Sequence, residues 1–407
     1  MTHPLEPSPI PDARRILIAS GWHDVNIGDI AHTPGLLSLL RQFRPGTECI
    51  LWPNPTPKGP GRRELAPRTV SLLQRAFPAL TILAAGDAVW PLPPHREDLR
   101  DAFASADLLI VNSGGFHSAP AAAWVAGTGK PYVAFGCSFS PPSAALVPLL
   151  TQAHFLGCRD SGSVAHLRQA LQPVAVPVSL CPDAVFAFDL RAEVAACTLL
   201  QAKGMAETGF LCLVPRLRAS PYHRLYGYTP SAEEEAVDRE NTAHRHSDHA
   251  MLRELATAWV RQTGREVLAC PEMSYGMELA QTDILSPLPP DVRAKVHLVE
   301  HFWLPDEAAS IFARAATVVS FDCHAPILAL ATGTPALHIR LPSDHPHKWR
   351  MFADFGLPDW VMQHDQTQAS TLCEIVLDLA AQPAPARTRV AEAMQGIRSR
   401  HAALLSS

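Results

Sequence analysis

The chain reads as an α/β protein of two similar halves, each a parallel sheet with helices on both faces. Three observations predict this. Short apolar runs of strand length alternate with longer helical patterns. The alternation pauses after Leu190 and then resumes, so the unit is built twice. Polar or glycine-bearing segments follow several of the apolar runs at once, as they do where parallel strands end and their connections begin.

In the first half, Ile16 to Ala19, Thr81 to Ala84, Leu108 to Val111 and Tyr132 to Phe135 are predicted strands. Parallel strands are covered on both faces, so their runs are apolar throughout and do not alternate. Thr33 to Arg41, Pro67 to Phe77, Glu97 to Ala104 and Ser163 to Leu171 are the predicted helices. A helix from about Ala192 to Lys203, closed by Gly204, leads into the second half. There the strands are Phe210 to Val214, Glu266 to Ala269, Val296 to Val299, Thr317 to Phe321 and Ala336 to Ile339. The boundary falls between 190 and 208, giving domains 1–195 and 196–385, and Ala386 to Leu405 forms a terminal helix within 386–407. Arg218 to His249 is polar, with Glu233, Glu234 and Glu235, and is expected as a long loop before a helix from His249 to Gln262. Loops of that length are usually functional or mobile.

Composition narrows the function. A length of 407 residues with 47% hydrophobic content suits two domains with sizeable cores. A net charge of −5 and a pI near 6.4 supply no basic field, which argues against a nucleic-acid partner. No apolar run is long enough for a transmembrane segment. The polar, proline-rich start, MTHPLEPSPIPDARR, lacks the apolar core of a signal peptide. Nine scattered cysteines, an odd number without a Cys-x-x-Cys pair, read as reduced thiols of a cytoplasmic protein.

Four segments could carry chemistry. Gly21 to Asp29 follows the first strand; it is either a turn capped by Asn26 or Asp29, with Gly28 supplying backbone freedom, or a loop whose Asn26 and Asp29 touch a ligand. Asn112 to His117 carries Gly114 and Gly115, which allow backbone to approach a ligand closely, but it is no dinucleotide fingerprint. Gly157 to Ser161 presents Arg159, either as a bidentate grip on a carboxylate or phosphate or in an ion pair with Asp160 or another acid, before a helix that Ser161 or Ser163 could cap. The richest segment runs from Val318 to Lys348. It places Asp322, Cys323 and His324 at a strand tip and helix start, where free N–H groups suit an anion. His324 has the ordinary pKa of a general acid near neutrality, and Lys348, with His345 and His347, could supply positive charge. His244, His246 and His249, with Asp248, lack the paired spacing of a zinc motif and read as loop residues, although His249 and Asn241 could reach the cleft.

These motifs, in this order, resemble the polysaccharide pyruvyl transferases over about Ile16 to Leu379. Asn26-Ile-Gly28-Asp29 resembles the family's first loop. Asp107 to Gly115 resembles its Asp-strand-glycine segment, and Gly129-Lys130-Pro131 to Gly136 the strand after it. Cys158-Arg159-Asp160-x-x-Ser163 and Pro182-Asp183-Ala-Val-Phe186 resemble the next two motifs. Ser320-x-x-x-His324-Ala325, Gly333-x-Pro335 and Lys348 resemble the C-terminal signature. The resemblance implies two Rossmann-like domains facing a cleft, similar to the two-domain glycosyltransferase (GT-B) type. It also implies transfer of a pyruvyl group from phosphoenolpyruvate to a sugar or glycan acceptor, as a ketal, without metal or organic cofactor. His324 would be the general acid. Lys348, Arg159 and Arg216 would hold the donor's anionic groups, and Asn26 or Asp29 would touch a sugar hydroxyl. A homo-oligomer remains open.

One position departs from the pattern. The family signature has Arg two residues before the His, and here that residue is Asp322. A carboxylate there repels phosphate unless paired or protonated, though it could pair with a cation or orient His324. Arg216, in Val214-Pro-Arg216-Leu-Arg218, offers replacement charge. Two alternatives follow: a glycosyltransferase using a nucleotide sugar on the same architecture, or a catalytically altered glycan-binding homologue.

Overall fold

The computed structural model describes residues 10–21, 23–54, 64–86, 96–112 and 114–406. Most of the polar N-terminal stretch, with Trp22 and Ser113 of the segments above, lies outside the described residues.

Among the described residues, two all-parallel sheets form. The first has strands β1 (Arg15–Ser20), β2 (Glu48–Pro53), β3 (Thr81–Ile82), β4 (Leu108–Asn112), β5 (Tyr132–Cys137), β6 (Phe155–Cys158) and β7 (Val178–Leu180), in the order 3-2-1-4-5-6-7. The second has β8 (Leu211–Val214), β9 (Val267–Ala269), β10 (Val296–Leu298), β11 (Thr317–Ser320), β12 (Ala336–Arg340) and β13 (Val361–Gln363), in the order 10-9-8-11-12-13. The strand order therefore reverses between β1 and β4 in one sheet and between β8 and β11 in the other. The central strands are wholly buried, which is why apolar runs reported them. β2, β6, β7 and β13 escaped that reading. β2 carries Glu48 and ends at Pro53, β6 is broken by Gly157, and the edge strands β7 and β13 have three residues each.

The predicted loop from Arg218 to His249 is corrected by the structure: Ala232–Asp248 is a helix. Ser231 accepts from the Glu234 N–H while the Glu234 carboxylate accepts from the Ser231 N–H, a reciprocal cap present in the sequence as Ser-x-x-Glu. Three acidic residues in its first turn suit the positive end of the helix dipole. Tyr222–Tyr226 forms a further short helix before it.

The terminal helix, Pro383–Leu405, crosses the junction. Val390, Met394 and Ile397 pack in the core shared by the second sheet, while Leu404 and Leu405 enter the core of the first. Arg44 donates to the Leu405 carbonyl at 2.9 Å, and His401 Nε2 lies 3.0 Å from the Pro182 carbonyl. Ile27, Ala31, Val185 and Phe186 of the first half share one core with Ala325, Ile327 and Leu328 of the second. All nine cysteines are free. No helix among the described residues is long and apolar enough to cross a membrane.

The docking of that last turn generates an expectation. Leu405 is fully buried, so Leu405→Ala should cost about 2–5 kcal/mol of stability through lost burial and a residual cavity. Denaturant unfolding measures this, and a variant as stable as the parent refutes the docking.

Candidate functional site

In open parallel sheets, ligands bind outside the carboxyl ends of the strands where the strand order reverses. This chain has two such points, and they face each other. Asn26 and Asp29 follow β1, and Gly114 and Gly115 follow β4; Arg216 follows β8, and Asp322 and His324 follow β11. A cavity of about 280 Å³ lies between them, lined by residues of both halves. It brings together Asn26, Asp29, Gly114, Gly115, Arg159, Asp322, His324 and Lys348, and it leaves out Arg216.

Asn26 is the N-cap of the Ile27–Phe43 helix, accepting from the N–H groups of Gly28 at 2.7 Å and Asp29 at 3.4 Å. Gly28 is needed for space, which corrects the expectation of backbone freedom: a Cβ there would sit 2.2 Å from the His324 ring. Gly114 does use the left-handed region, with φ of 56°, and a Cβ at Gly114 or Gly115 would meet nothing within 4 Å. That loop is stitched to the end of β5: Ser138 N–H donates to the Gly114 carbonyl at 2.7 Å, and Phe116 N–H to the Ser138 carbonyl at 3.0 Å. The Ser138 hydroxyl accepts from Arg159 Nε at 2.5 Å.

Arg159 pairs with Asp183, not Asp160. Its Nη1 donates to the fully buried Asp183 carboxylate at 2.9 Å. Asp160 is instead the N-cap of the Ser161–Ala170 helix, a role expected of Ser161 or Ser163. His32 Nε2 also approaches Asp183 at 3.2 Å, and His324 Nε2 comes within 3.9 Å. Burial pushes Asp183 up, but His32, Arg159 and His324 more than offset it and hold the carboxylate well below its ordinary range.

His324 is gripped from the other side by Glu272, which follows β9. Glu272 Oε1 lies 3.3 Å from His324 Nδ1 and 3.3 Å from its backbone N, while Oε2 accepts from the Ala325 N–H at 2.6 Å. This corrects the expectation that the helix start is open to a substrate anion: the protein's own carboxylate occupies it. Burial alone would lower the His324 pKa. The Cys323 sulfur, 3.8 Å from Nδ1, and the Glu272 carboxylate outweigh it and hold the imidazole well above the ordinary histidine range. The Glu272 segment also joins the two halves. Ile27 N–H donates to the Glu272 carbonyl at 3.0 Å and Ser274 N–H to the Val25 carbonyl at 2.9 Å.

Asp322 lies in a network of two cations and two carboxylates. Arg216 reaches Asp344 at 2.5 Å and Asp322 at 3.6 Å; Lys348 reaches Asp344 at 3.5 Å and Asp322 at 3.7 Å. Burial raises Asp322, but Lys348, Arg216 and His324 lower it to about 2. Arg216 is thus committed to internal pairing outside the cavity, which corrects its expected role as replacement charge for a phosphate. His347 is corrected as well: burial, then Arg159, His345 and Lys348, push it down to about 2, so it carries no charge near neutrality.

The histidines of the former loop do not converge. His244 pairs with Glu240 along its helix, and His249 is buried with Nδ1 2.5 Å from the Arg245 carbonyl. Asn241 bonds to the backbone of Ala219, so neither it nor His249 reaches the cleft. Among the described residues, His32, Asp183 and His324 could offer ligand atoms within 4.8 Å of one another. Arg159 already holds that carboxylate, and its positive charge disfavours a second cation there.

His32, Asp183 and Glu272 were missed as site residues, as were His23, His117, Ser220 and Tyr222 of the lining. Glu272 had a signal: a polar residue three places after the short strand run that ends at Ala269. Asp183 sits in a motif quoted above without a role.

A sequence pattern for the polysaccharide pyruvyl transferases matches residues 26–342. The chain belongs to that family. No curated protein matches it significantly. Its fold is of the GT-B type, and similar solved structures cover nearly the whole chain at low identity. E. coli ADP-heptose LPS heptosyltransferase II is 14% identical, with a TM-score of 0.51 over 91% of this chain and 99% of that one. The Neisseria meningitidis UDP-GlcNAc 2-epimerase, bound to UDP-GlcNAc, is 12% identical, with a TM-score of 0.54 over 95% and 99%. Anabaena HepE, in complex with UDP and glucose, is also 12% identical, with a TM-score of 0.54 over 95% of each chain.

The contact at Gly28 can be tested directly. Gly28→Ala should displace His324 from Glu272 and lower stability by about 1–3 kcal/mol, as overpacking does. A crystal structure of the variant with His324 in place refutes the argument. The depressed carboxylate at Asp322 generates a pH expectation. Its contribution is present above an ordinary aspartate pKa of 3.8 and is lost as pH falls through about 2. Stability should therefore fall less steeply between pH 4 and pH 2, both approximate limits, in Asp322→Asn than in the parent. Equal slopes in denaturant melts would count against the pairing.

Proposed function

We propose that the protein transfers the pyruvyl group of phosphoenolpyruvate to two hydroxyls of a sugar in a polysaccharide or its precursor, in the cytoplasm, with His324 as general acid. The observation that carries this reading is the setting of His324. It is a buried imidazole at the second switch point, flanked by carboxylates at both ring nitrogens, and it opens on a cavity that also holds Arg159 and Lys348.

The enol double bond of the donor takes a proton from His324 at its methylene carbon, which becomes a methyl group. The central carbon turns electrophilic and is attacked by one sugar hydroxyl. The second hydroxyl then forms its bond as the carbon–oxygen bond to phosphate breaks, leaving a cyclic ketal and inorganic phosphate. Of the two hydroxyl protons lost, one balances the proton placed on the methyl and returns to His324, and the other leaves with the phosphate. Electrostatic grip on the donor falls to Arg159 and Lys348, with the open backbone at Gly114 and Gly115 beside them. Asn26 and Asp29 face the cavity from the first domain and would contact the sugar. No step requires a metal or an organic cofactor.

The rival reading is glycosyl transfer from a nucleotide sugar. The pairing of Arg216 and Lys348 with Asp322 and Asp344 favours it, because it leaves less unbalanced positive charge for a small trianion.

Thermal shift discriminates the two. Phosphoenolpyruvate at about 100 times its dissociation constant should stabilise the protein by about 2.7 kcal/mol, and Lys348→Ala or Arg159→Ala should abolish the shift. Stabilisation by nucleotide sugars alone moves the assignment to glycosyl transfer. His324→Ala should lower turnover by about 10²–10⁴-fold, the usual contribution of general acid catalysis, and full turnover would remove the proposed acid.

A further inference from the structure

Glu272 is a fully buried carboxylate at the centre of the site, and no reading above gives it a chemical role. It accepts from two backbone donors, the His324 and Ala325 N–H groups, and lies 3.3 Å from His324 Nδ1. Burial, then Asp322, raise its pKa above the ordinary carboxylate value against the pull of His324 and the Ala325 N–H. Two backbone N–H groups donate to it, and hydrogen bonds to the charged form favour that form. Its main chain is fixed as firmly as its side chain. The 272–274 segment forms an antiparallel bridge with residues 25–27 of the first domain, and the first helix brings Gly28 against the His324 ring.

The imidazole therefore has different surroundings at its two nitrogens. Nδ1 faces Glu272, with the Cys323 sulfur 3.8 Å away. Nε2 has no hydrogen-bond partner among the described residues and lies 3.9 Å from Asp183. The other groups facing the ring are His32, edge-on at 4.8 Å between centroids, and Asp322 on its own strand tip. Behind these stand Arg159 on Asp183, Lys348 on Asp322, and Asp29, 3.9 Å from His32.

We propose that Glu272 is the positioning residue of the acid: it binds the Nδ1 proton of His324, keeps the ring charged until the donor arrives, and so presents the Nε2 proton to the substrate methylene. Asp183 sits too far from Nε2 to take that proton in a hydrogen bond and serves as its electrostatic counterpart. The proposal rests on the assignment of His324 as general acid, and its test separates the two.

The titration of His324 is read by NMR in the full chain carrying ¹³C-labelled histidine, with the His324 signal assigned by its loss in His324→Asn. Glu272→Gln is close in size, can still accept from Ala325, and removes the charge. It should lower the His324 pKa by about one unit or more. Cys323→Ala should lower it by less, because the sulfur, 3.8 Å from Nδ1, is a weaker hydrogen-bond partner of the ring than the carboxylate at 3.3 Å. An unchanged value in folded Glu272→Gln, or a larger fall in Cys323→Ala, overturns the proposal. Should Glu272→Gln not fold, Glu272→Asp withdraws the charge by one methylene and must give a smaller fall in the same direction; no fall is again fatal. In turnover with phosphoenolpyruvate, the alkaline limb of kcat should move down by the same interval in Glu272→Gln, with KM nearly constant. A purely structural role would lower kcat equally at every pH, and that outcome also overturns the proposal. If the parent protein turns over no phosphoenolpyruvate, the proposed function falls while the NMR result still decides the role of Glu272.

Discussion

The site is organised around the burial of the Asp183 carboxylate. Ionised carboxylates removed from water are costly unless paired and hydrogen-bonded. Asp183 has no exposed surface, and its charge is answered by Arg159 from the tip of β6, His32 from the first helix and His324 from the other domain. Two of these partners have their own support: Arg159 leans on Ser138, and His324 on Glu272. Removing any of them would strand a buried charge, so the four elements form one unit and the domain junction runs through it.

That junction limits how the cleft can move. The cores of the two halves are continuous beneath His324, the bridge between residues 25–27 and 272–274 crosses directly behind it, and the terminal helix spans both sheets. On another side, His23 of the first domain stacks on Tyr222 and Tyr226 of the second, with 4.7 Å between the His23 and Tyr222 ring centroids. The position of His324 is thus set by backbone on both sides of the cleft.

The departure at Asp322 has a physical account. It belongs to a nearly balanced quartet with Asp344, Arg216 and Lys348, in which each carboxylate approaches both cations. A carboxylate so paired does not stand as a free charge against an anionic ligand. It does reduce the surplus positive charge of that wall. Arg159 also faces the cavity, and Asp183 already claims one face of its guanidinium.

Sequence by itself determined the two-domain parallel architecture, because strands covered on both faces must be apolar and the pattern occurs twice. It also placed Asn26, Gly114, Arg159 and His324 at strand ends, where a parallel sheet collects its ligand-binding residues. The helix Ala232–Asp248 was legible too, through Ser231 and Glu234, but the charge of the segment disguised it. Tertiary structure alone decided the partners. Glu272 and His324 are far apart in the chain, as are Asp183 and His32, and no local pattern pairs a buried carboxylate with the cation that will neutralise it. The need for glycine at 28 likewise comes from a ring in the other domain. Periodicity reports which face of an element is covered, whereas charge pairing and close contact depend on distances that exist only after the two sheets have met.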